Sequence, residues 1–318
     1  MRSLLAAVIL VVTCAASAAR ADDEVIAVFT KNQTNPFFTA ERLGAEVAAK
    51  QSHARVIQYV PTQPDSIGEQ MSQIDDVIVK KPAAVVLVPV DYKAMVPGVD
   101  RLNAANIPVV DATDRSAGGK FVAFIGGNDY ELAKSTAERL FREMDGKGRV
   151  FVLEGVRGTL TNSDRLRGFH DAMQAHPNIK LLASQPANYQ RLNGLQVTEN
   201  LLQSFPDVDA VLAANDAMAI GAIDALEGEG RKTLVIGING TKEAIDAIKT
   251  GKMLASGDYD GFQQGCLAVM TAIRYVRHEP IRPELVLHPV VIDRSNYGVF
   301  DKPTEQRRCP TGEEAIGH

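Results

Sequence analysis

The chain of 318 residues contains no tryptophan, and aromatic residues make up only 6% of it. Surfaces that bind nucleic acids usually carry stacking aromatics and an excess of positive charge. This chain instead has a formal net charge of −5 and an isoelectric point near 5.7. The composition therefore argues against a nucleic-acid partner and against binding to an anionic membrane surface.

Long apolar runs are also missing after the first 21 residues, and those residues have the pattern of a signal peptide. Arg2 supplies the positive charge, residues 4–12 are apolar, and Ala19-Arg20-Ala21 forms an A-x-A cleavage site. Cys14 permits a lipoprotein alternative, but Thr13 stands where lipoprotein signals prefer a small residue. We therefore predict export to a Gram-negative periplasm by a cleavable signal peptide spanning residues 1–21.

Cysteine is scarce, with three residues in all, and the six histidines are scattered. No two cysteines have the C-x-x-C spacing of common metal sites, so we predict no metal site. Export leaves Cys266 and Cys309 as an even pair in an oxidising compartment. They form either a disulfide that holds the C-terminal tail or one buried and one exposed thiol.

The sequence also lacks the usual signs of a nucleotide site or a catalytic centre. Residues 31–34, which follow the first predicted strand, contain no glycine, so no phosphate-binding loop is present there. No Ser or Cys stands beside a plausible His base. We expect no cofactor and no catalytic residue.

What the chain does contain is a regular alternation of apolar strands and amphipathic helices. A β-α-β-α-β-α-β series runs through residues 25–125, and a similar series occupies residues 130–257. Alternation of this kind predicts doubly wound parallel sheets, and the length favours two domains. A final strand is predicted at residues 285–292.

The segment Thr34-Asn35-Pro36-Phe37-Phe38 follows the first predicted strand. Asn35 suits a helix N-cap, and Pro36 suits the first helical turn. Open α/β sheets bind ligands at this edge. Phe37 and Phe38 are therefore either core residues or an apolar face offered to a ligand.

Polar side chains stand at the ends of other predicted strands or at a helix start. Each alone has a simpler explanation, such as helix capping. Their common location nevertheless predicts one shared cleft, and forked polar groups beside aromatic faces suit a hydroxyl-rich ligand. The set comprises Lys31, Asn35, Asp114, Arg115, Arg165, Asn215, Asn239 and Asp258.

With these residues the chain resembles the periplasmic sugar-binding proteins of the ribose-binding type, the cluster B solute-binding proteins of ABC importers. The resemblance covers residues 25–292 and implies a type I periplasmic binding protein fold. In that fold two Rossmann-like lobes are joined by three crossings, here near residues 126–127, 256–258 and 285–287. Closure around a ligand then presents a surface to the membrane permease.

The resemblance also implies lobe boundaries and partners. The N-terminal lobe would span residues 22–126 and 258–285, and the C-terminal lobe residues 127–257 and 286–300. A tail at 301–318 is expected to be poorly ordered unless Cys309 is bonded. We expect a monomer that binds a sugar-like ligand and an importer permease. A chemoreceptor or sensor kinase is a further candidate partner, which would recognise the ligand-bound form.

Several residues match the family's ligand contacts. Asn35, Phe37 and Phe38 resemble first-lobe contacts, with Phe38 stacking on the ring. Asp114 and Arg115 resemble the acid and guanidinium that hold hydroxyls. The second-lobe contacts are matched by Arg165 and Asn215, and Tyr189 stands where the family has a stacking Phe.

Three positions depart from the ribose-type pattern: Lys31 replaces a small Ser, Asn239 replaces Asp, and Asp258 replaces Gln. Counting Arg115, Arg165 and Asp114 as well, the matched charges sum to +1. Because a buried unpaired charge is unfavourable, Lys31 is expected either to pair with Asp258 or to meet the ligand. Pairing favours a neutral sugar, alditol or cyclitol, whereas a free Lys31 favours a sugar acid. A secreted enzyme is the less favoured alternative.

Overall fold

A computed structural model describes residues 24–303 and 306–310. The predicted signal peptide, including Cys14, lies outside these residues. In the described parts of the chain, no helix has the length and apolar character needed to cross a bilayer. The same parts contain no cluster of three or more His, Cys, Asp or Glu side chains suited to holding a metal ion.

The first lobe begins with three βα units followed by two consecutive strands, and its fifth strand ends at the first crossing. The inner strands of this part are apolar and buried, as expected for a parallel sheet covered on both faces; all four residues of β3 are buried. The elements are β1 (Val25–Phe29), α1 (Pro36–Gln51), β2 (Arg55–Tyr59), α2 (Ile67–Lys80), β3 (Ala84–Leu87), α3 (Val96–Ala104), β4 (Val109–Thr113) and β5 (Ala123–Gly127).

The second lobe repeats this alternation. Its elements are α4 (Asp129–Glu143), β6 (Lys147–Glu154), α5 (Leu160–Ala175), β7 (Asn178–Pro186), α6 (Arg191–Ser204), β8 (Ala210–Ala213), α7 (Asp216–Gly228), β9 (Leu234–Ile238), α8 (Lys242–Thr250) and β10 (Ala255–Asp258). The chain then returns through α9 (Gly261–Val276), β11 (Glu284–Leu287), β12 (Val290–Asp293) and α10 (Tyr297–Phe300).

The strands form two six-stranded sheets. The first has the order β11-β5-β4-β3-β1-β2, and its strand pairs are parallel. The second has the order β12-β10-β9-β8-β6-β7 and is parallel except for the β10–β12 pair. The prediction of two doubly wound lobes is confirmed.

The prediction of one strand at residues 285–292 is wrong. The chain forms β11 in the first sheet and β12 in the second, with His288 and Pro289 between them. A proline nitrogen cannot donate to a strand ladder, which makes Pro289 a natural place for the chain to change sheets. The other two crossings lie at Asn128 and at Tyr259-Asp260.

The three crossings form the hinge that the fold class requires. By sheet membership, Asp258 lies in the second sheet and Val286 and Leu287 lie in the first. The lobe boundaries expected from the sequence instead place Asp258 in the first lobe and Val286 and Leu287 in the second. Sheet membership thus moves these two boundaries by one or two residues. The boundaries themselves remain a prediction, because sheet membership does not define a domain.

Helices α1 and α9 pack side by side on the first sheet, and two glycines set their separation. A Cβ atom on Gly44 would collide with the carbonyl oxygen of Phe262, and one on Gly265 would collide with that of Glu41. A disulfide joins Cys266 in α9 to Cys309 in the tail, with their Cα atoms 5.4 Å apart. The tail is thus attached to the outside of this helix pair.

Candidate functional site

The carboxyl ends of the two sheets face each other across a small cavity of about 30 Å³. Both lobes contribute to its wall, and Asn32, Asp65, Thr113, Thr159 and Thr161 line it in addition to residues expected from the sequence. Those expected residues are Lys31, Asn35, Phe37, Phe38, Asp114, Arg165, Tyr189 and Asn239. Arg115, Asn215 and Asp258 lie outside this lining.

The first-lobe side of the cavity is built on a buried ion pair. The ammonium of Lys31, just after β1, contacts Oδ2 of Asp114, just after β4, and each side chain is only 5–6% exposed. Thr113 has a φ of +60°, an uncommon value for a β-branched residue, and it turns the chain into Asp114. The other carboxylate oxygen of Asp114 accepts a hydrogen bond from Thr161 of the second lobe. Asp114 is therefore held from both lobes.

Of the two alternatives for Lys31, pairing with Asp258 is wrong, because Lys31 pairs with Asp114. Asp258 ends β10, where its Oδ1 accepts from the Asp260 amide at 2.8 Å. Its carboxyl group packs against Gly240 and lines a neighbouring groove instead of the cavity. Burial, together with the charge of Asp260, raises the pKa of Asp258 well above its ordinary value. Asp258 therefore lies outside the cavity lining, and Lys31 pairs with Asp114 instead.

The second-lobe side is built on Arg165, which enters the cavity from the first turns of α5. Its Nε donates to Oδ1 of Asp129 at 2.7 Å, and a terminal nitrogen donates to the Tyr259 hydroxyl at 3.1 Å. The Tyr259 hydroxyl in turn donates to Oδ1 of Asp129 at 2.6 Å. The remaining terminal nitrogen donates to the Ala214 carbonyl at 2.6 Å and to Oδ1 of Asn239 at 3.3 Å. All parts of the guanidinium are engaged.

This network is tied directly to the hinge. Asp129 is the first residue of α4, immediately after the crossing at Asn128, and Tyr259 lies in the second crossing. Burial raises the pKa of Asp129, while the charge of Arg165 opposes that shift. Direct contact with a guanidinium favours the ionised form of a carboxyl group. Arg165 and Asp129 therefore form a second buried ion pair.

Three aromatic rings line the cavity. Phe37 and Phe38 meet edge to face, with ring centroids 5.5 Å apart. Tyr189 approaches Gly155 so closely that a Cβ atom there would overlap its ring. Among the described residues the buried hydroxyl of Tyr189 has no hydrogen-bond partner, and the centroid of its ring lies 5.9 Å from the Arg165 guanidinium carbon. The rings leave both apolar surface and one free polar atom for a ligand.

Two of the expected asparagines serve as helix caps. Oδ1 of Asn35 accepts from the Phe37 amide at 3.1 Å, and Oδ1 of Asn215 accepts from the Met218 amide at 2.9 Å. The Asn215 amide also donates to the Tyr189 carbonyl at 3.1 Å. Asn215 thus shapes the cavity by holding the backbone of Tyr189.

Arg115 lies apart from the cavity residues. Its guanidinium carbon is 3.6 Å from the centroid of the Phe124 ring, and a terminal nitrogen contacts Glu284. The side chain is 45% exposed and lines a separate pocket at the rim. In this conformation its charge is balanced by Glu284 and is not added to the cleft.

A buried carboxyl group lies directly behind Asp114. Thr113 Oγ1 is 3.0 Å from Oε1 of Glu41 and 2.9 Å from Oε1 of Gln264. Burial raises the pKa of Glu41 to about 8. A protonated Glu41 can donate to Thr113, whose hydroxyl then donates to Gln264. If Glu41 were ionised, its oxygen and that of Gln264 would both need the single hydrogen of the Thr113 hydroxyl, and one of them would lack a donor.

The charges around the cavity therefore differ from those counted in the sequence. The two buried ion pairs, Lys31 with Asp114 and Arg165 with Asp129, each combine one cation with one carboxylate, so these four groups sum to zero instead of the +1 counted in the sequence. Asp65, half-buried in the cavity wall, adds a further carboxyl group and no cation. Sequence reasoning missed Asp129, Thr161 and Tyr259, since an Asp in a first helical turn and a Thr in a helix are common without any ligand.

Comparisons with known proteins agree with this geometry. The family model for the periplasmic binding protein domain matches residues 26–280. The chain is 32% identical over 292 residues to the ribose import binding protein of Haemophilus influenzae, which covers 92% of this chain and 98% of that protein. A solved periplasmic solute-binding protein from Actinobacillus succinogenes with bound D-allose superposes with a TM-score of 0.83 at 32% identity, covering 87% of this chain and all of that one. A Caulobacter myo-inositol binding protein bound to myo-inositol gives 0.81 at 28% identity, covering 87% and 95%.

Proposed function

The chain belongs to the periplasmic binding protein family, and from that premise we propose that it captures a small, neutral, polyhydroxylated ligand between its lobes and delivers it to an ABC importer. The ligand class comprises monosaccharides, alditols and cyclitols. Relatives with related folds are named for ribose import or hold D-allose or myo-inositol. These names support the class without selecting one member.

The observation that carries the proposal is the position of Asp114. This carboxylate lies in the cleft between lobes, next to a cation from its own lobe and a hydroxyl from the other. A ligand hydroxyl can take the place of Thr161 or share Asp114 with Lys31, because hydroxyls both donate and accept. The ligand and the contact between the lobes would then share the carboxylate oxygens of Asp114, so that ligand binding is coupled to lobe closure.

The charge balance supports a neutral ligand over a sugar acid. Lys31 and Arg165 already have carboxylate partners in the cleft. A ligand carboxylate would add an unbalanced negative charge to a buried site, and burying such a charge is unfavourable. We therefore assign Lys31 the role of a hydrogen-bond donor to ligand hydroxyls.

The remaining predicted contacts fit this role. Phe37, Phe38 and Tyr189 would cover the C–H surfaces of the ligand, and the Tyr189 hydroxyl would gain the partner that it lacks. Asn35 and Asn239 would supply polar contacts at either side. Arg115 would join the ligand only by leaving Glu284, and we place it at the rim.

The proposed partner is the membrane permease of an ABC importer, which would recognise the closed lobes of a monomer in the periplasm. A chemoreceptor or sensor kinase would bind the same surface of the closed form. We propose binding without turnover, in line with relatives that are named as binding proteins. Nuclear magnetic resonance of the ligand recovered after incubation with the protein should show it unchanged, and a product would contradict this proposal.

The test is a thermal-shift screen of the mature protein against pentoses, hexoses, alditols, cyclitols and sugar acids. A ligand at a hundred times its Kd stabilises the folded state by about 2.7 kcal/mol, which raises the melting temperature clearly. We expect a neutral compound to give the largest rise. A larger rise with a sugar acid than with its neutral parent sugar would contradict the charge argument.

A further inference from the structure

The first residue of the C-terminal tail, Asp301, is attached to the second lobe. Asp301 follows α10 and forms ion pairs with Lys249, at 2.9 Å, and with Lys242, at 3.3 Å. Both lysines belong to α8, which packs on the second sheet. The tail therefore starts from a fixed point on the second lobe.

A few residues later the tail is attached to the first lobe. Cys309 forms the disulfide with Cys266 of α9, and its sulfur lies 3.6 Å from the Gly44 carbonyl of α1. These helices pack on each other and on the first sheet. The second attachment is thus covalent and lies on the opposite lobe from the first.

Between these attachments the tail touches the hinge. A terminal nitrogen of Arg307 donates to Oδ1 of Asp260 at 2.9 Å, and the Arg307 side chain is only 19% exposed. Asp260 lies in the second crossing, has a φ of +57°, and caps α9 by accepting from the Gln263 amide at 3.1 Å. The contact is made at the residue where the backbone turns from one lobe to the other.

We propose that the chain from Asp301 to Cys309, here called the tail strap, is a fourth connection between the lobes that limits how far the hinge opens. The proposal rests on the two attachments and on Arg307. Cys309 lies eight positions after Asp301 in the chain, so their Cα atoms can be at most about 27 Å apart when the strap is fully extended. The disulfide makes this limit permanent, while the Arg307–Asp260 ion pair adds a reversible preference for the closed arrangement.

The strap acts on the ligand-free protein, because a closed, occupied cleft is already held by its ligand. With the strap in place, the open form samples a narrower range of lobe separations. Cutting the strap at Cys309 frees the tail from the first lobe and removes the limit. Neutralising Arg307 keeps the limit but removes the reversible contact, so its effect should be smaller.

The experiment measures the radius of gyration of the ligand-free mature protein by small-angle X-ray scattering. The variants are Cys309→Ser, Arg307→Gln and, as a matched control, Arg308→Gln at the exposed neighbouring arginine. A compact chain of this size has a radius of gyration of about 19 Å. We expect a clear increase for Cys309→Ser, a smaller increase for Arg307→Gln, and no change for Arg308→Gln.

Circular dichroism and thermal melting first establish that each variant is folded at the temperature used. If Cys309→Ser is not folded, Arg307→Gln decides the question, since it retains the disulfide. Wild-type radii of gyration in the folded variants would overturn the proposal, as would an equal increase in Arg308→Gln. No ligand is needed, so the outcome is independent of whether the sugar-binding proposal is correct.

Discussion

The cleft contains two buried ion pairs that look alike but are built differently. Lys31 and Asp114 come from two strand ends of one lobe, and their additional described contact across the cleft is Thr161. Arg165, in contrast, has four acceptor groups and is connected to two of the three crossings. A pair with few further partners can exchange one of them for a ligand hydroxyl, whereas a fully engaged pair serves as a scaffold.

This difference predicts unequal consequences of breaking the two pairs. Replacing Arg165 by Met keeps an unbranched apolar stem but removes the guanidinium, which leaves Asp129 as a buried carboxylate without its cation. Removing one partner of a buried pair typically destabilises a protein by about 3–5 kcal/mol. We expect a loss of this size in urea unfolding, together with loss of ligand binding.

Arg167→Met is the matched control for this change, since Arg167 lies on the same helix but is 57% exposed. It should change stability by less than about 0.5 kcal/mol. A loss below 1 kcal/mol in Arg165→Met would contradict the scaffold role.

The second prediction concerns the acid behind the first pair. Glu41 has an ordinary pKa of 4.5 and a raised folded-state pKa of about 8. Between these values the unfolded chain loses the Glu41 proton while the folded chain keeps it, so stability falls as pH rises from about 4.5 to 8. Each unit of pKa difference corresponds to about 1.4 kcal/mol, which gives an effect of a few kcal/mol.

Glu41→Gln should remove this contribution while keeping an oxygen and a donor beside Thr113. The free energy of unfolding of the variant, minus that of the wild type, should therefore grow from pH 5 to pH 8 and level off above. Urea titrations at four pH values measure this difference directly. A constant difference across the range would show that Glu41 does not hold its proton on folding.

The third prediction tests whether the first pair is the exchangeable one. Lys31→Met should destabilise the ligand-free protein by only about 1–3 kcal/mol, because Asp114 keeps the Thr161 hydrogen bond. Double-mutant cycles with Asp114→Asn and, for the other pair, Arg165→Met with Asp129→Asn give the two coupling energies. We expect the Arg165–Asp129 coupling to be larger, and the reverse order would remove the distinction between the pairs.

The smallest expected effect is that of Thr161→Val, which removes only the cross-lobe hydroxyl. Net contributions of such hydrogen bonds are about 0.5–1.5 kcal/mol. A ligand hydroxyl that shares Asp114 with Lys31 leaves this cross-lobe contact in place, so affinity for the best ligand in the screen should fall by roughly three- to tenfold. A rise in affinity would show that the ligand displaces Thr161 instead. An isothermal titration with Thr159→Val as the neighbouring control distinguishes the contact with Asp114 from a general loss of polarity.

Much of the fold follows from local sequence patterns. The apolar strands, the Asn35 and Asn215 caps and the paired series of βα units specify two parallel sheets without knowledge of distant contacts. The strand at residues 285–292 failed as a single unit because periodicity does not reveal which sheet a strand joins. In this case Pro289 was the local signal of the break.

The site was less accessible to sequence reasoning, because ion pairs depend on where strand ends meet in space. Lys31 pairs with Asp114, 83 positions further along the chain, and nothing near either residue distinguishes this partner from Asp258. Charge counting failed for the same reason, since Asp129 was absent from the count and Arg115 was included. The ligand roles of these residues remain predictions until a ligand is found.

The hydrogen-bonded tyrosine at the hinge has a practical consequence. Because the chain has no tryptophan, its near-ultraviolet signals come mainly from its seven tyrosines, with contributions from its eleven phenylalanines and the disulfide. Tyr259 and Tyr189 both lie against Arg165, and the Tyr259 hydroxyl is bonded to Asp129. Lobe movement changes the surroundings of both rings, so the unmodified protein carries its own optical reporter of closure, and binding can be followed spectroscopically without an attached dye.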